Sequence, residues 1–295
     1  MREALIRETA SMLAGEGYEV FCCAGMRACF DIVARREGEL LIAKALEDVD
    51  ALTSAQAGDL RKISLLLGAD FLLLGERFGD ERLRDGVLYE RQGVPAISFG
   101  TLRALIVDGT LPSERKFKVQ SISVDGEKLA KARRDANLTL DELAGKAGVS
   151  RETLWRYEKG KIGASEESIS QLEKILGMEL RKSIGIFGKK PEHVDERTIL
   201  SPVGFESVRA SSAPFELAAK EKGRIIAGEE ADRRTMAKRA GAYGKISGIF
   251  RSSSCFILEE SARDSIGGVP VVRKREVKEM KKPRDLLKLV EEREE

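Results

Sequence analysis

The stretch from Leu138 to Gly160, LTLDELAGKAGVSRETLWRYEKG, leaves its backbone little choice. Thr139 is followed three residues later by Glu142, a pairing that satisfies two orphan N–H groups at a helix start. Leu140, Leu143, Ala144 and Ala147 then fall on one face at helical spacing. Gly148 stands where the end of a helix favours a positive φ. Val149 is placed to plug the gap between two helices. Ser150 caps the next helix, Arg151 to Lys159, and Gly160 ends it. Upstream, the pattern through Leu129 to Asp135 predicts a helix beginning near Val124–Gly126. Downstream, Ile169, Leu172, Ile175 and Leu176 predict a fourth helix. Such a unit occupies only 124–182 of a chain of 295 residues.

This succession resembles the Cro/C1-type (lambda-repressor-like) helix-turn-helix family over roughly Gly126 to Gly177. The residues that carry the resemblance are Ala144, the GVS turn at Gly148–Ser150 and the YEKG ending at Gly160. The resemblance implies a third helix lying in the major groove of DNA. It implies base contacts from Arg151, Glu152, Trp155 and Arg156, with Leu154 and Tyr157 turned inward. Arginine pairs bidentately with guanine O6 and N7, and a glutamate accepts from cytosine N4. Glu152 has a plainer role open to it, complementing the positive end of the helix dipole. Trp155 has one too, packing on a neighbouring helix. Thr139 and Leu140 would offer backbone N–H groups to a phosphate. Lys146, Ser150, Thr153, Lys159 and Lys161 are the other expected backbone contacts. The family pattern further implies that Glu158 pairs with Arg133.

The flanks read as two copies of one unit. CFDIVARREGELLIAKAL, from Cys29, aligns with PFELAAKEKGRIIAGEEA, from Pro214. Phe215 lies 185 positions after Phe30, and the pairs Ala34/Ala219, Gly38/Gly223 and Phe71/Phe256 keep that spacing. GVPAIS at Gly93 is echoed by GVPVVR at Gly268. Similar order and similar spacing of Gly, Pro and Phe landmarks predict an internal duplication. Each copy is expected to run as an extended stretch, two strands around a glycine turn, an amphipathic helix, an apolar strand and a final strand leading into a helix. The first copy opens with an additional helix, Arg2 to Ala14.

Helix, three strands, helix, strand is an order that resembles the core of the PD-(D/E)xK nuclease-like fold. In active members an Asp and a (Asp/Glu)-x-Lys hold magnesium and orient water. Asp31 and Lys44 stand at suitable places, but Ile42 occupies the position of the second carboxylate. In the second copy Glu216 replaces the Asp, with Ala227 and Glu229 at the other two positions. A hydrocarbon side chain cannot ligate Mg²⁺, so the expectation is a nuclease-shaped fold with no catalytic residue, metal or cofactor. Over nearly its full length, through CFDIVARR, RDGVLYERQGVPAIS, the central unit and APFELAAK, the chain resembles a family of archaeal helix-turn-helix transcriptional regulators. That resemblance implies a DNA-binding regulator.

Composition narrows the alternatives. Hydrophobic residues make up 42%, charged residues 34%, and the net charge is only +2, which excludes a histone-like basic coat but not a local basic face. Cys22, Cys23, Cys29 and Cys255 lack zinc-ligand spacing and read as buried free thiols. The single His193 has no partner for nucleophilic catalysis. No apolar run approaches the ~20 residues that span a bilayer, and the start is too acidic for a signal peptide. The tail helix carries an apolar seam at Leu286, Leu287, Leu289 and Val290.

The expected fold class is multidomain α/β plus all-α: a central Cro/C1-type helix-turn-helix between two duplicated nuclease-like α/β domains. The expected limits are 1–111, a basic linker 112–123 (PSERKFKVQ within it), the DNA-binding domain 124–182, and 183–295. The expected function is sequence-specific binding of double-stranded DNA by a cytoplasmic, nucleoid-associated homodimer with no membrane partner. The flanks and the tail seam would hold the dimer. A metal-dependent nuclease with a DNA-targeting unit and an RNA- or protein-binding adaptor are the alternatives. The residues name no operator, effector or direction of regulation.

Overall fold

The structure, a computed structural model, describes residues 2–23, 28–116, 121–182, 187, 194–229 and 233–294. His193 and the end of the basic linker fall outside the described residues. In chain order the elements are α1 (Arg2–Gly15), β1 (Glu19–Cys22), β2 (Ile32–Arg36), β3 (Glu39–Ala45), α2 (Ser54–Leu67) and β4 (Asp70–Leu74). Next come β5 (Arg77–Phe78), β6 (Glu81–Arg82), β7 (Val87–Arg91), β8 (Val94–Ile97) and α3 (Phe99–Val107). Two short strands, β9 (Ser113–Lys116) and β10 (Ser121–Ile122), precede α4 (Gly126–Asp135), α5 (Leu140–Ala147), α6 (Arg151–Glu158) and α7 (Glu166–Leu176). The last part holds β11 (Glu206–Arg209), β12 (Leu217–Lys220), β13 (Arg224–Gly228), α8 (Arg233–Phe250) and β14 (Ser253–Leu258). It ends with β15 (Ser265–Ile266), β16 (Val269–Arg273), α9 (Lys274–Glu279) and α10 (Pro283–Glu294).

The chain divides into two compact units. One comprises Met1–Asp80, Gln92–Val94 and Phe187–Glu295; the other comprises Glu81–Arg91 and Pro95–Ile186.

In the first unit, β1, β2 and β3 are antiparallel neighbours and β4 adds in parallel to β3. β11 to β14 repeat that scheme, and β16 extends it in parallel beyond β14. β2 and β3 are buried along nearly their whole length, as expected for strands covered on both faces. α2 starts at a capping box between Thr53 and Gln56 and stops at Gly68, which has φ 61°. The two halves of this unit are joined reciprocally. α2 packs on β11 and β12, and α8 packs on β1 and β2. Phe30, Phe215 and Phe250 meet between them, with ring centroids 6.2–6.5 Å apart. Asp59 accepts from the Ser212 N–H at 2.8 Å and from its hydroxyl at 2.7 Å. Arg35, buried, donates to the carbonyl of Ile249.

The apolar seam of α10 is spent at home. Leu286 and Val290 are fully buried, and Leu287 and Leu289 pack against the same core, beside Leu217, Ile225 and Val272. This corrects the expectation of a dimer surface there. The seam is not exposed for that purpose, because β12, β13 and β16 would otherwise lose their cover. The four cysteines are free. Burial pushes the thiols of Cys29 and Cys255 up to about 12, which keeps them as protonated, unreactive packing groups.

The second unit holds the helices α4 to α7 around Leu129, Leu143, Leu154, Tyr157, Ile169 and Leu172, all buried. Short pairings close it: Ile122 bridges Ala164 and Val124 bridges Arg181. Arg181 is held in turn by Glu166 at 2.6 Å.

Candidate nucleic-acid interface

Local chemistry fixes the two helices around the turn. At the start of α5 the Thr139 hydroxyl accepts from Glu142 N–H at 3.2 Å, and Thr139 N–H donates to the Glu142 carboxylate at 2.7 Å. The hydrogen bond from the Thr139 backbone holds the Glu142 carboxyl below its ordinary value. Gly148 ends the helix with φ 68°. At the start of α6 the Ser150 hydroxyl accepts from Thr153 N–H at 3.0 Å. Inward-facing Leu154 and Tyr157 anchor α6 in the core.

Glu158 pairs with Arg133 of α4, as the family pattern implied. Arg133 Nε lies 2.6 Å from one carboxylate oxygen and Nη2 3.1 Å from the other, and Nη1 donates to the carbonyl of Leu138 at 2.9 Å. This fork ties α4, the α4–α5 turn and the end of α6 together. The hydrogen bond to Glu158 raises the Arg133 pKa further. Gly126 opens α4 against the same place. A Cβ there would overlap the backbone oxygen of Glu158 and crowd that of Tyr157, so only glycine permits the approach. Linear spacing assigns Gly126 no such role.

The four expected base-reading side chains, Arg151, Glu152, Trp155 and Arg156, are all exposed along one arc of α6. Their groups are already held in place. Arg156 Nη2 lies 2.5 Å from Glu152, one turn back, and Arg151 Nε lies 3.4 Å from Asp141. Trp155 keeps 38% of its surface exposed, and the Lys161 ammonium sits 4.4 Å from the centroid of its ring. Packing therefore does not consume the indole.

The expected backbone contacts divide. Lys146, Lys159 and Lys161 are exposed. The hydroxyls of Ser150 and Thr153 lie 2.8 Å apart and serve each other at the cap. Thr139 does not offer a free N–H, because Glu142 occupies it. Leu140 N–H meets no acceptor among the described residues and keeps that role open.

Comparison with known proteins agrees with this geometry. Residues 129–182 match a helix-turn-helix family, and residues 2–112 match the PD-(D/E)XK superfamily domain. A provisionally named HTH-type transcriptional regulatory protein of Methanothermobacter thermautotrophicus is 34% identical, with 99% of this chain and 97% of that protein covered. Relatives with the same provisional name in Pyrococcus horikoshii and Thermococcus kodakarensis are each 32% identical; 98% of this chain is covered in both cases, with 97% and 96% of those proteins. The chain belongs to this archaeal family of HTH-type regulators. The match to these relatives runs through the α/β flanks, which are therefore part of the family and not an appendage to the helix-turn-helix.

The superfamily of the nuclease-like flank implies a metal, and the residues present do not fit one. Asp31 is buried, and both of its oxygens are occupied: Oδ1 by Arg2 Nη2 at 2.5 Å, Oδ2 by Ala45 N–H at 2.9 Å. Lys44, also buried, reaches the same carboxylate at 3.3 Å and the carbonyl of Ala28 at 2.6 Å. Ile42 is fully buried where a second carboxylate would be needed. The guanidinium of Arg2 takes the position on Asp31 that a cation would need. In the other half, Arg239 Nη1 lies 2.5 Å from Glu216, and Glu229 N–H donates to its second oxygen at 3.0 Å. Among the described residues no three His, Cys, Asp or Glu come together to hold a metal ion. Sequence patterns expose the missing carboxylate, but they do not identify the arginines, which arrive from distant helices.

Proposed function

We propose that the protein is a sequence-specific, DNA-binding transcriptional regulator that lays α6 in the major groove. The observation that carries this reading is the division of α6. Leu154, Tyr157 and Glu158 lock one side into the unit, while Arg151, Glu152, Trp155 and Arg156 stand exposed on the other. Arg151 and Arg156 are the strongest candidates for guanine, and the ion pairs to Asp141 and Glu152 orient them before contact. Leu140, Lys146, Lys159 and Lys161 would hold the phosphates. Arg151→Ala or Arg156→Ala is expected to cost about 1–3 kcal/mol on the preferred site and to relax base choice there. Lys146→Ala should weaken all sequences alike and reduce the salt slope by about one. Titrations of selected and scrambled duplexes at several salt concentrations separate the two patterns. Unchanged affinity in both arginine variants would remove α6 from the groove.

The two α/β halves are read as copies of one ancestral domain that lost its chemistry, with domain limits at 1–111, 124–182 and 183–295. The shared strand order, the reciprocal helix packing and the arginine on each residual acid support this reading. Purified protein with Mg²⁺ or Mn²⁺ is expected to leave duplex DNA uncut. Metal-dependent cleavage that disappears in Asp31→Asn, at a melting temperature equal to the parent's, would restore the nuclease reading.

A dimer is the proposed working form, in the cytoplasm at the nucleoid. One α6 covers half a site, and paired recognition helices sit ~34 Å apart on DNA. Because the seam of α10 is buried within the chain, the dimer would be held by other surfaces of the α/β flanks. Light scattering on the full chain is expected to give twice the 32.5 kDa chain mass. A monomer mass at micromolar concentration that persists with an inverted-repeat duplex would exclude this assembly.

A further inference from the structure

Two outer strands of the first unit are finished differently. β1 and β11 hold the same place in their halves, each the antiparallel neighbour of a buried strand. In β11 the N–H groups of Ser207 and Arg209 point away from β12, and an extended segment ahead of the strand covers them. Asp195 accepts from Ser207 N–H at 3.0 Å and Glu196 accepts from Arg209 N–H at 2.8 Å. Glu196 N–H donates in turn to the carbonyl of Ser207 at 2.7 Å. Lys62 of α2 fixes the Glu196 carboxylate at 2.5 Å.

β1 has no such cover. Cys23 N–H donates to the carbonyl of Asp31 at 2.8 Å. The alternation of an antiparallel ladder then turns the backbone groups of Glu19 and Phe21 toward β2 and those of Val20 and Cys22 outward. The N–H groups of Val20 and Cys22 meet no acceptor among the described residues. Helices α1 and α8 pack against β1, yet neither caps these groups. The strand, Glu19–Cys22, also lacks the lysine or proline that blunts an exposed edge.

We infer that β1 pairs antiparallel with β1 of a second copy of the chain, joining two sheets across a two-fold axis at Phe21. The register follows from the outward groups. With the axis at Phe21, Val20 of one copy stands opposite Cys22 of the other, and both outward N–H groups of each copy find a carbonyl. Phe21 then meets its own mate as a non-hydrogen-bonded pair, with Cα atoms about 4.5 Å apart. A cross-strand aromatic pair of this kind stabilises a sheet. The Lys245 ammonium, 5.8 Å from the centroid of Phe21, would lie against an aromatic pair instead of one ring. Charge selects the same occupant. The acidic segment on β11 is held by Arg209 and Lys62, which keep the Glu196 carboxyl below its ordinary value. At the place that matches Arg209, β1 carries Cys22. An acidic strand from another protein finds no cation there, whereas the uncharged run Val20–Cys22 matches itself.

This inference rests on the dimer reading above, and the experiment separates the two. Full-length Phe21→Cys, oxidised with diamide, is expected to run on a denaturing gel as a disulfide-linked dimer, because the pair on the axis lies within disulfide reach. The parent should not cross-link, since this register sets the two Cys22 Cα atoms about 8 Å apart. Val20→Pro removes an outward N–H and leaves the β1–β2 ladder intact. It is expected to raise the dimer dissociation constant at least about tenfold in a light-scattering dilution series, at a melting temperature near the parent's. If Val20→Pro fails to fold, the cross-link decides alone. A dimeric parent whose Phe21→Cys variant yields no linked dimer would overturn the inference and leave the dimer reading intact. So would a folded Val20→Pro that dimerises like the parent. A monomeric parent overturns both.

Discussion

Arg133→Ala is expected to cost the DNA-binding unit about 3–5 kcal/mol, the range for breaking a buried ion pair on one side. The side chains of Arg133 and Glu158 keep only 15% and 8% of their surface exposed, so removal of the guanidinium leaves a carboxylate with little access to water. It also removes the donor to the carbonyl of Leu138, at the turn that sets the angle between α4 and α5. A compact unit of this size has little stability to spare. The expected result is loss of cooperative unfolding in that unit and of specific binding together. Trp155 is the one tryptophan of the chain and lies in α6, so its fluorescence in a denaturant titration follows this unit. The double variant Arg133→Met/Glu158→Leu should regain most of the loss, because it leaves no stranded charge. A single variant as stable as the parent would deny the pair its structural role.

Asp31→Ala is expected to have an effect of similar size, about 3–5 kcal/mol, in the other unit. Lys44 is 3% exposed and keeps only the carbonyl of Ala28 once the carboxylate has gone. Its ammonium is then left buried with no counter-charge. Arg2 keeps its bond to the carbonyl of Ala45 at 3.1 Å but loses the one to Asp31, and with it goes the tether of α1 to the start of β2. Asp31→Ala/Lys44→Met removes both buried charges and should recover most of the stability. Thermal unfolding followed by far-ultraviolet circular dichroism reads both variants. If Asp31→Ala melts with the parent, the residual nuclease site is not a structural charge network.

How far the sequence predicts these features depends on the range of the interaction. The caps of α5 and α6 are readable because Thr139 and Glu142, and Ser150 and Thr153, lie three residues apart and act through local backbone geometry. The strands β3, β4 and β13 fall where their apolar runs predict them. The exposure of Arg151, Glu152, Trp155 and Arg156 follows from helical spacing once Leu154 and Tyr157 are placed inside. The occupation of Thr139 N–H by Glu142 is implicit in the same capping box, and so the expectation of a free donor there overlooked a local rule.

Features of long range are not legible. Arg2 reaches Asp31 across 29 positions, and Arg239 reaches Glu216 across 23; neither arginine stands at a spacing that a linear pattern can interpret. Gly126 is needed because the carbonyl of Glu158 approaches it, a contact visible only after α4 and α6 are docked. The seam of α10 reads correctly as apolar, but hydrophobic spacing alone does not say whether such a stripe meets its own domain or another copy.

Competition binding shows whether α6 reads base sequence. Genomic fragments retained by the full-length chain are selected, and the enriched duplex is then competed against a scrambled duplex at physiological salt. The parent is expected to prefer the selected duplex by at least about 10³, the lower end for specific DNA-binding proteins. Arg151→Ala/Arg156→Ala is expected to lower that ratio at least about tenfold while binding to the scrambled duplex changes little. A parent ratio near one, or a full ratio retained in the double variant, would contradict this role of α6.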